Sequence, residues 1–155
     1  MTLNVVSTAE RPELVPTVAG WVWAEFRRGH GYTLEQTLAS VSVTVTARDL
    51  PQTYILLADG RPVGTASLAE KDLEERPELT PWLAGVFVEP ESRGRGYAGR
   101  LTAHVEGVCR GRSIATLWLY TRTAERIYAR SGWRTVESVE HNGKTYALMR
   151  RDLIG

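Results

Sequence analysis

Residues 93–100 read Arg-Gly-Arg-Gly-Tyr-Ala-Gly-Arg, and these residue types at this spacing suit one task, the holding of an anion. Gly94 and Gly96 carry no Cβ, so backbone N–H groups there can turn toward a ligand and approach it closely. A helix beginning near Ala98 adds its unpaired N-terminal donors and the positive end of its dipole. Arg93, Arg95 and Arg100 bring fixed charge on forked donors that match phosphate oxygens. A diphosphate is the expected guest.

Such a loop needs a strand to deliver it and a helix to receive it. Residues 82–88 are apolar at nearly every position, the pattern of a strand covered on both faces, with Gly85 marking a bulge or a close backbone approach. Leu101, Val105, Val108 and Cys109 form one face of the following helix, which ends near Gly111.

Upstream, residues 3–7 suit an edge strand, and Leu14, Val15, Val18, Ala19, Val22 and Phe26 fall at helical spacing until Gly29-His30-Gly31. Trp21 and Trp23 on that helix are expected in the core or a groove wall. Thr33 with Gln36 signals a capping box for a second helix, whose β-branched tail, residues 41–46, fits helix or strand. Residues 54–58 and 62–68 read as strands joined by Asp59-Gly60, and residues 69–80 as a carboxylate-rich, solvated connection.

Downstream, residues 114–120 form a strand, and Thr121 or Thr123 caps a short helix that Gly132 ends. Residues 133–141 and 144–150 form a hairpin turning at Asn142-Gly143. The succession βααβββαβαββ predicts a mixed α/β fold around one sheet.

At 155 residues the chain suits a single domain, residues 1–155. With 19 basic and 18 acidic residues, no global field argues for nucleic acid or an anionic membrane. Cys109 is the only cysteine, which excludes an intramolecular disulfide and a cysteine-rich metal site, so no metal is expected and a reducing cytoplasm is the default. No apolar run approaches 18 residues, which predicts a soluble protein with no membrane partner. His104 reads as a boundary histidine.

Gly94-Arg95-Gly96-Tyr97-Ala98-Gly99 satisfies the dinucleotide pattern GxGxxG, but the next strand carries no acidic residue to hold a ribose, and the loop comes late in the chain. Arg93, Gly96 and Ala98 also meet the pattern Arg/Gln-x-x-Gly-x-Gly/Ala, behind an apolar strand and Glu89-Pro90. This resembles the acyl-CoA-binding motif of the GNAT N-acetyltransferase superfamily. Residues 117–133, LWLYTRTAERIYARSGW, resemble its second signature: Ala124, Ile127, Tyr128 and Gly132 fit, Trp133 takes the aromatic place, and Thr121 stands where asparagine is usual.

The resemblance implies a mostly antiparallel sheet whose fourth and fifth strands splay, with the pantetheine arm of acetyl-CoA entering the gap. On that template Val86, Phe87 and Val88 offer backbone groups to the arm, and Gly94, Arg95, Gly96, Tyr97, Ala98 and Gly99 cradle the pyrophosphate, with Arg93 opening the turn. The implied reaction is direct attack of a primary amine, from a small molecule or peptide, on the thioester. Val88 N–H is the implied oxyanion donor and Tyr128 the general acid for the leaving thiolate. Many relatives place a base at the position of Ala84; Glu70, near the end of the preceding strand, is the expected substitute. Thr121 and Ala84 motivate an alternative, a catalytically degenerate module that binds or senses acyl-CoA. The acidic connection favours cationic acceptors, and the aromatic-rich ends are compatible with a homodimer.

Overall fold

In the computed structural model, which describes residues 1–154, the elements are β1 (Leu3–Ser7), α1 (Val15–Val22), α2 (Leu34–Thr46), β2 (Gln52–Ala58), β3 (Arg61–Ala69), β4 (Trp82–Val88), α3 (Tyr97–Gly111), β5 (Thr116–Thr121), α4 (Glu125–Arg130), β6 (Arg134–His141) and β7 (Lys144–Asp152). That is the succession expected from the sequence. Strand order is β1-β2-β3-β4-β5-β7-β6. The pairs β1–β2, β2–β3, β5–β7 and β6–β7 are antiparallel, and β4–β5 is parallel, registered at one pair, Trp82↔Trp118. Among the described residues no helix is long and apolar enough to cross a membrane.

The chain divides into two compact units, Met1–Leu68 with Gly85–Val105, and Ala69–Ala84 with Glu106 onward. In the first, α1 and α2 bury Leu14, Val15, Val18, Ala19 and Val41 against Ile55 and Leu57 of β2. The capping box forms: Gln36 N–H donates to Thr33 Oγ1 at 3.0 Å, and Thr33 N–H to Gln36 Oε1 at 2.8 Å. Residues 41–46 stay helical because Val41 and Val45, four apart, both meet this core, and packing overrides the strand preference of a β-branched run. The first helix opens as a 3-10 turn at Pro12–Leu14 and closes as a π turn at Trp23–Arg27.

The β2–β3 hairpin turns at Asp59 (φ 50°) and Gly60 (φ 81°), both left-handed, as a two-residue turn requires. Gly64 on β3 is a true close approach. A Cβ there would lie 2.8 Å from Phe87 O, 3.1 Å from Leu101 Cδ1 and 3.3 Å from Val88 Cγ2.

In the second unit Leu73, Trp82, Val139 and Leu148 form a core, with Leu79, Trp118 and Tyr120 packed against it. Leu73 changes the picture of the 69–80 connection: its side chain is 2% exposed, and Trp82 Nε1 donates to Leu79 O at 2.8 Å, so an acidic segment is pinned to the sheet at two points. The β6–β7 hairpin turns at Asn142 (φ 50°) and Gly143 (φ 75°).

Gly64→Ala should destabilise the protein by about 1–3 kcal/mol, because a new methyl must displace the backbone of β4. Urea denaturation measures this, and an unchanged midpoint would contradict the close approach.

Candidate functional site

Strand β4 neighbours β3 along one edge, and on the other it registers with β5 at Trp82. Glu89 N–H donates to Val63 O on β3 at 2.9 Å. Successive peptide groups alternate sides along a strand, so those of Val88 and Val86 point away from β3. Val88 O is met there by Arg93 Nε at 2.9 Å. Phe87, expected to offer backbone groups, instead turns its carbonyl to β3 at Gly64, and its ring packs on Trp21 at 5.6 Å with the Arg93 guanidinium 5.6 Å away on its face. Trp21, half-buried, thus packs its indole against β4. Gly85 has φ +61°, but a Cβ there would meet nothing within 4 Å, so it is a backbone kink and not a close approach.

The loop after β4 is fixed at its entry. Glu89 accepts from Ser92 Oγ at 2.9 Å and pairs with Arg61 Nη1 at 2.5 Å, while Ser92 N–H donates to Glu89 O. From there Gly94 (φ +80°) and Gly96 (φ +78°) adopt left-handed conformations, and open space surrounds the place of each missing Cβ. Among the described residues, no backbone bond consumes the N–H groups of Gly94, Arg95, Gly96, Tyr97, Ala98 or Gly99; the first closing bond is Arg100 N–H to Gly96 O at 3.1 Å. Arg93, Arg95 and Arg100 are exposed around these donors. Tyr97 divides its roles, with its N–H in this series and its ring 5% exposed, the hydroxyl 3.3 Å from Met1 Sδ. The left-handed glycines and exposed arginines expected at this loop are present.

Tyr128 lies on α4, half-buried, with its ring 5.9 Å from that of Trp133 in a steep edge contact. Its hydroxyl has no hydrogen-bond partner among the described residues, and burial pushes it up to about 12, so it keeps its proton at any physiological pH. The platform beneath it is polar: Trp133 Nε1 donates to Glu106 Oε2 at 3.1 Å, and Glu106 Oε1 lies 3.2 Å from Arg151 Nε. Arg151 Nη1 donates in turn to Ser131 O, over Gly132 (φ +97°), where a Cβ would fall on the guanidinium. The motif glycine is required by this packing as well as by the helix end. Neither Thr121 nor Thr123 caps α4 as expected: the N-cap is Ala124, with no side-chain cap bond, and Thr121 Oγ1 instead accepts from Ala124 N–H at 3.1 Å in the turn just ahead of the helix.

Glu70 is exposed just past β3, and Ala84 is half-buried in β4. Burial pushes the Cys109 thiol up to about 11, which leaves it inert at neutral pH. His104 stacks edge-on against Tyr54 at 4.7 Å, and burial lowers its pKa, in keeping with a boundary histidine. One pair escaped the sequence reading: His141 Nδ1 lies 2.8 Å and 3.1 Å from the two carboxylate oxygens of Glu75, a partner 66 residues away. The only trace in the sequence is a histidine at a hairpin turn and a run of acids far upstream.

Comparisons with known proteins converge. The sequence profile of the Acetyltransferase (GNAT) family matches residues 15–133. No curated protein matches the chain in sequence. Among solved structures, an aminoglycoside 6'-N-acetyltransferase complexed with coenzyme A superposes with a TM-score of 0.78 at 13% identity, over 100% of this chain and 98% of that one. An N-acetyltransferase from Staphylococcus aureus Mu50 gives 0.77 at 14% identity, over 99% and 100%. N-acetylglutamate synthase from Neisseria gonorrhoeae, complexed with coenzyme A and N-acetyl-glutamate, gives 0.71 at 21% identity, over 100% of this chain and 36% of that one. At these identities the likeness is one of fold.

Replacing Glu106 by Ala should cost roughly 3 kcal/mol, since it strands the Arg151 cation and the Trp133 indole N–H together. Glu106→Gln, which still accepts from the indole, should cost less. Chemical denaturation of both variants checks the order, and equal stabilities would contradict the network.

Proposed function

Because this chain belongs to the acetyltransferase (GNAT) family, we propose that it transfers an acetyl group from acetyl-CoA to a primary amine of a small molecule or peptide, by direct attack on the thioester. One domain, residues 1–155, acts in a cytoplasmic setting where a thiol such as Cys109 stays reduced. The observation that carries the reading is the series of unspent N–H groups at residues 94–99, presented by two left-handed glycines and ringed by arginines. That is a diphosphate site, and CoA carries one.

Each residue then has a task. The pyrophosphate sits on Gly94, Arg95, Gly96, Tyr97, Ala98 and Gly99. Arg93, bonded to Val88 O and lying over the Phe87 ring, opens the turn. The pantetheine arm adds along the open edge of β4 at Val86 and Val88, in the manner of an added strand, with Phe87 contributing its flank. Val88 N–H stabilises the oxyanion as the amine adds to the thioester carbonyl. As the C–S bond breaks, Tyr128 supplies a proton or a strong hydrogen bond to the departing sulfur. The amine, with an ordinary pKa near 10.4, must shed a proton, and Glu70 is the proposed acceptor, directly or through water. A homodimer is compatible with these residues.

The alternative of a degenerate acyl-CoA sensor rested on Thr121 and Ala84. Thr121 performs a local task in the turn just ahead of α4, which supports the active reading.

Gly96→Val should weaken CoA binding by roughly tenfold or more, because a β-branched residue resists the left-handed backbone that aims the amides. Calorimetric titration with CoA measures it, and unchanged affinity would remove the proposed diphosphate site. Tyr128→Phe should lower turnover by roughly 10²–10⁴ with CoA affinity intact. An acid must be protonated to act, and the Tyr128 hydroxyl titrates only near about 12. The wild-type rate should therefore rise with pH as the amine loses its proton and show no falling limb through pH about 10, where an ordinary tyrosine would ionise. A decline beginning near pH 9 would count against Tyr128. Glu70→Gln should alter the ascending limb, and an unchanged profile would dismiss Glu70 as base.

A further inference from the structure

In the second unit, three rings meet at one corner. Tyr120 and Tyr146 are 5.2 Å apart at 71°, Tyr120 and His141 5.7 Å at 76°, and His141 and Tyr146 5.8 Å at 66°. All three are half-buried, so each keeps part of its surface open. Carboxylates from the 70–78 segment crowd the same corner. Glu75 grips His141 Nδ1, and Glu74 places a carboxylate oxygen within 4.8 Å of that pair. The Tyr120 hydroxyl registers the result: its pKa is raised well above the ordinary value, first by burial, then by Asp72, Tyr146, Glu75 and Glu74. The segment cannot swing away, because Leu73 is buried beneath it.

The basic groups at this corner are His141, paired with Glu75, and Arg76 and Lys71. Arg76 is engaged by Glu137 and by the Glu75 carbonyl, and Lys71 lines a shallow cleft with Asp72, Leu73, Glu74 and Pro77. Half-open aromatic rings beside fixed carboxylates suit an organic cation, which gains from the ring quadrupoles and from the charge at once. A metal ion suits them less. The 2.8 Å contact between His141 Nδ1 and Glu75 is a hydrogen bond that a metal would have to displace, and the two tyrosine rings would offer it nothing.

We propose that Tyr120, Tyr146 and His141, with Glu74 and Glu75, form a binding site for an organic ammonium, and that the acceptor is a di- or polyamine whose second, protonated nitrogen is held there. The nitrogen held is not the one acetylated, because carboxylates stabilise the charged form and the attacking amine must be neutral. The word acceptor rests on the acetyl-transfer reading; the binding site does not.

The test titrates the full-length chain with spermidine by calorimetry, with glutamate as an anionic amine for comparison, and separately follows thiol release from acetyl-CoA with both. Saturable spermidine binding, weakened roughly tenfold or more in Glu75→Gln and in Tyr146→Leu, with CoA affinity unchanged, is the expected result. Glu74→Gln, at an exposed position, should weaken binding without touching the fold and guards against a misfolded Tyr146 variant. Equal binding of spermidine to wild type and all three variants, or preferential binding of glutamate, overturns the proposal. So does saturable uptake of zinc or manganese at Glu74, Glu75 and His141 with no amine bound. Spermidine binding without thiol release supports this site and counts against acetyl transfer; thiol release with glutamate and not with spermidine does the reverse.

Discussion

A strand inside a sheet spends its peptide groups on two neighbours, but in β4 the N–H groups of Val86 and Val88 face away from β3, and on that side the described register with β5 is at Trp82. Unsatisfied buried peptide groups cost free energy, so a fold that keeps them open must hold the strand by other means. Three contacts do so here. Glu89 N–H reaches Val63 O, Gly64 lets β3 lie against Phe87 without an intervening Cβ, and Arg93 bonds back to Val88 O. An extended arm with amides of its own is the ligand such an edge can accept, by the same bonding that joins strands.

The glycine-arginine loop follows from the same constraint one step later. Glu89, fixed by Arg61 and Ser92, sets the direction in which the chain leaves β4, and the left-handed backbone at Gly94 and Gly96 turns consecutive amides to one side before α3 begins. In the second unit the equivalent constraint is a buried charge. Glu106 satisfies the Trp133 indole and faces the Arg151 guanidinium, and the ring so fixed is the surface against which Tyr128 stands. The Tyr128 hydroxyl is positioned by this packing, with no hydrogen-bond partner among the described residues.

Local signals carried the fold. The capping box at Thr33, the turn pairs at Asp59-Gly60 and Asn142-Gly143, and the glycine-arginine loop each declare themselves within a few residues, and each formed. Tertiary choices were not legible. The tail of α2 is helical only because Val41 and Val45 find the same core, and Leu73 pins an acidic segment that composition describes as solvated. The edge that the Phe87 peptide group faces was out of reach for a related reason, since it depends on the neighbouring strand and one sequence does not name its neighbours, while Gly85 took the irregular backbone that was one of the two alternatives read for it. The Glu75–His141 pair lay furthest out of reach, since no spacing rule connects residues 66 positions apart.

Proton accounting joins these parts. At neutral pH only about one amine in a thousand with pKa near 10.4 is free to attack, so an acceptor with several amines offers a charged nitrogen for recognition and another for reaction. A carboxylate field raises the pKa of whatever nitrogen it holds, which improves recognition and suppresses nucleophilicity at that atom. At Tyr128, the proposed acid, burial opposes ionisation, and a thiolate forming in equally dry surroundings would have its own conjugate pKa raised from about 8.5 in the same direction. Because equally dry surroundings move both groups the same way, burial leaves the gap between the proposed donor hydroxyl and a departing sulfur about as wide as in water, where raising Tyr128 alone would have widened it.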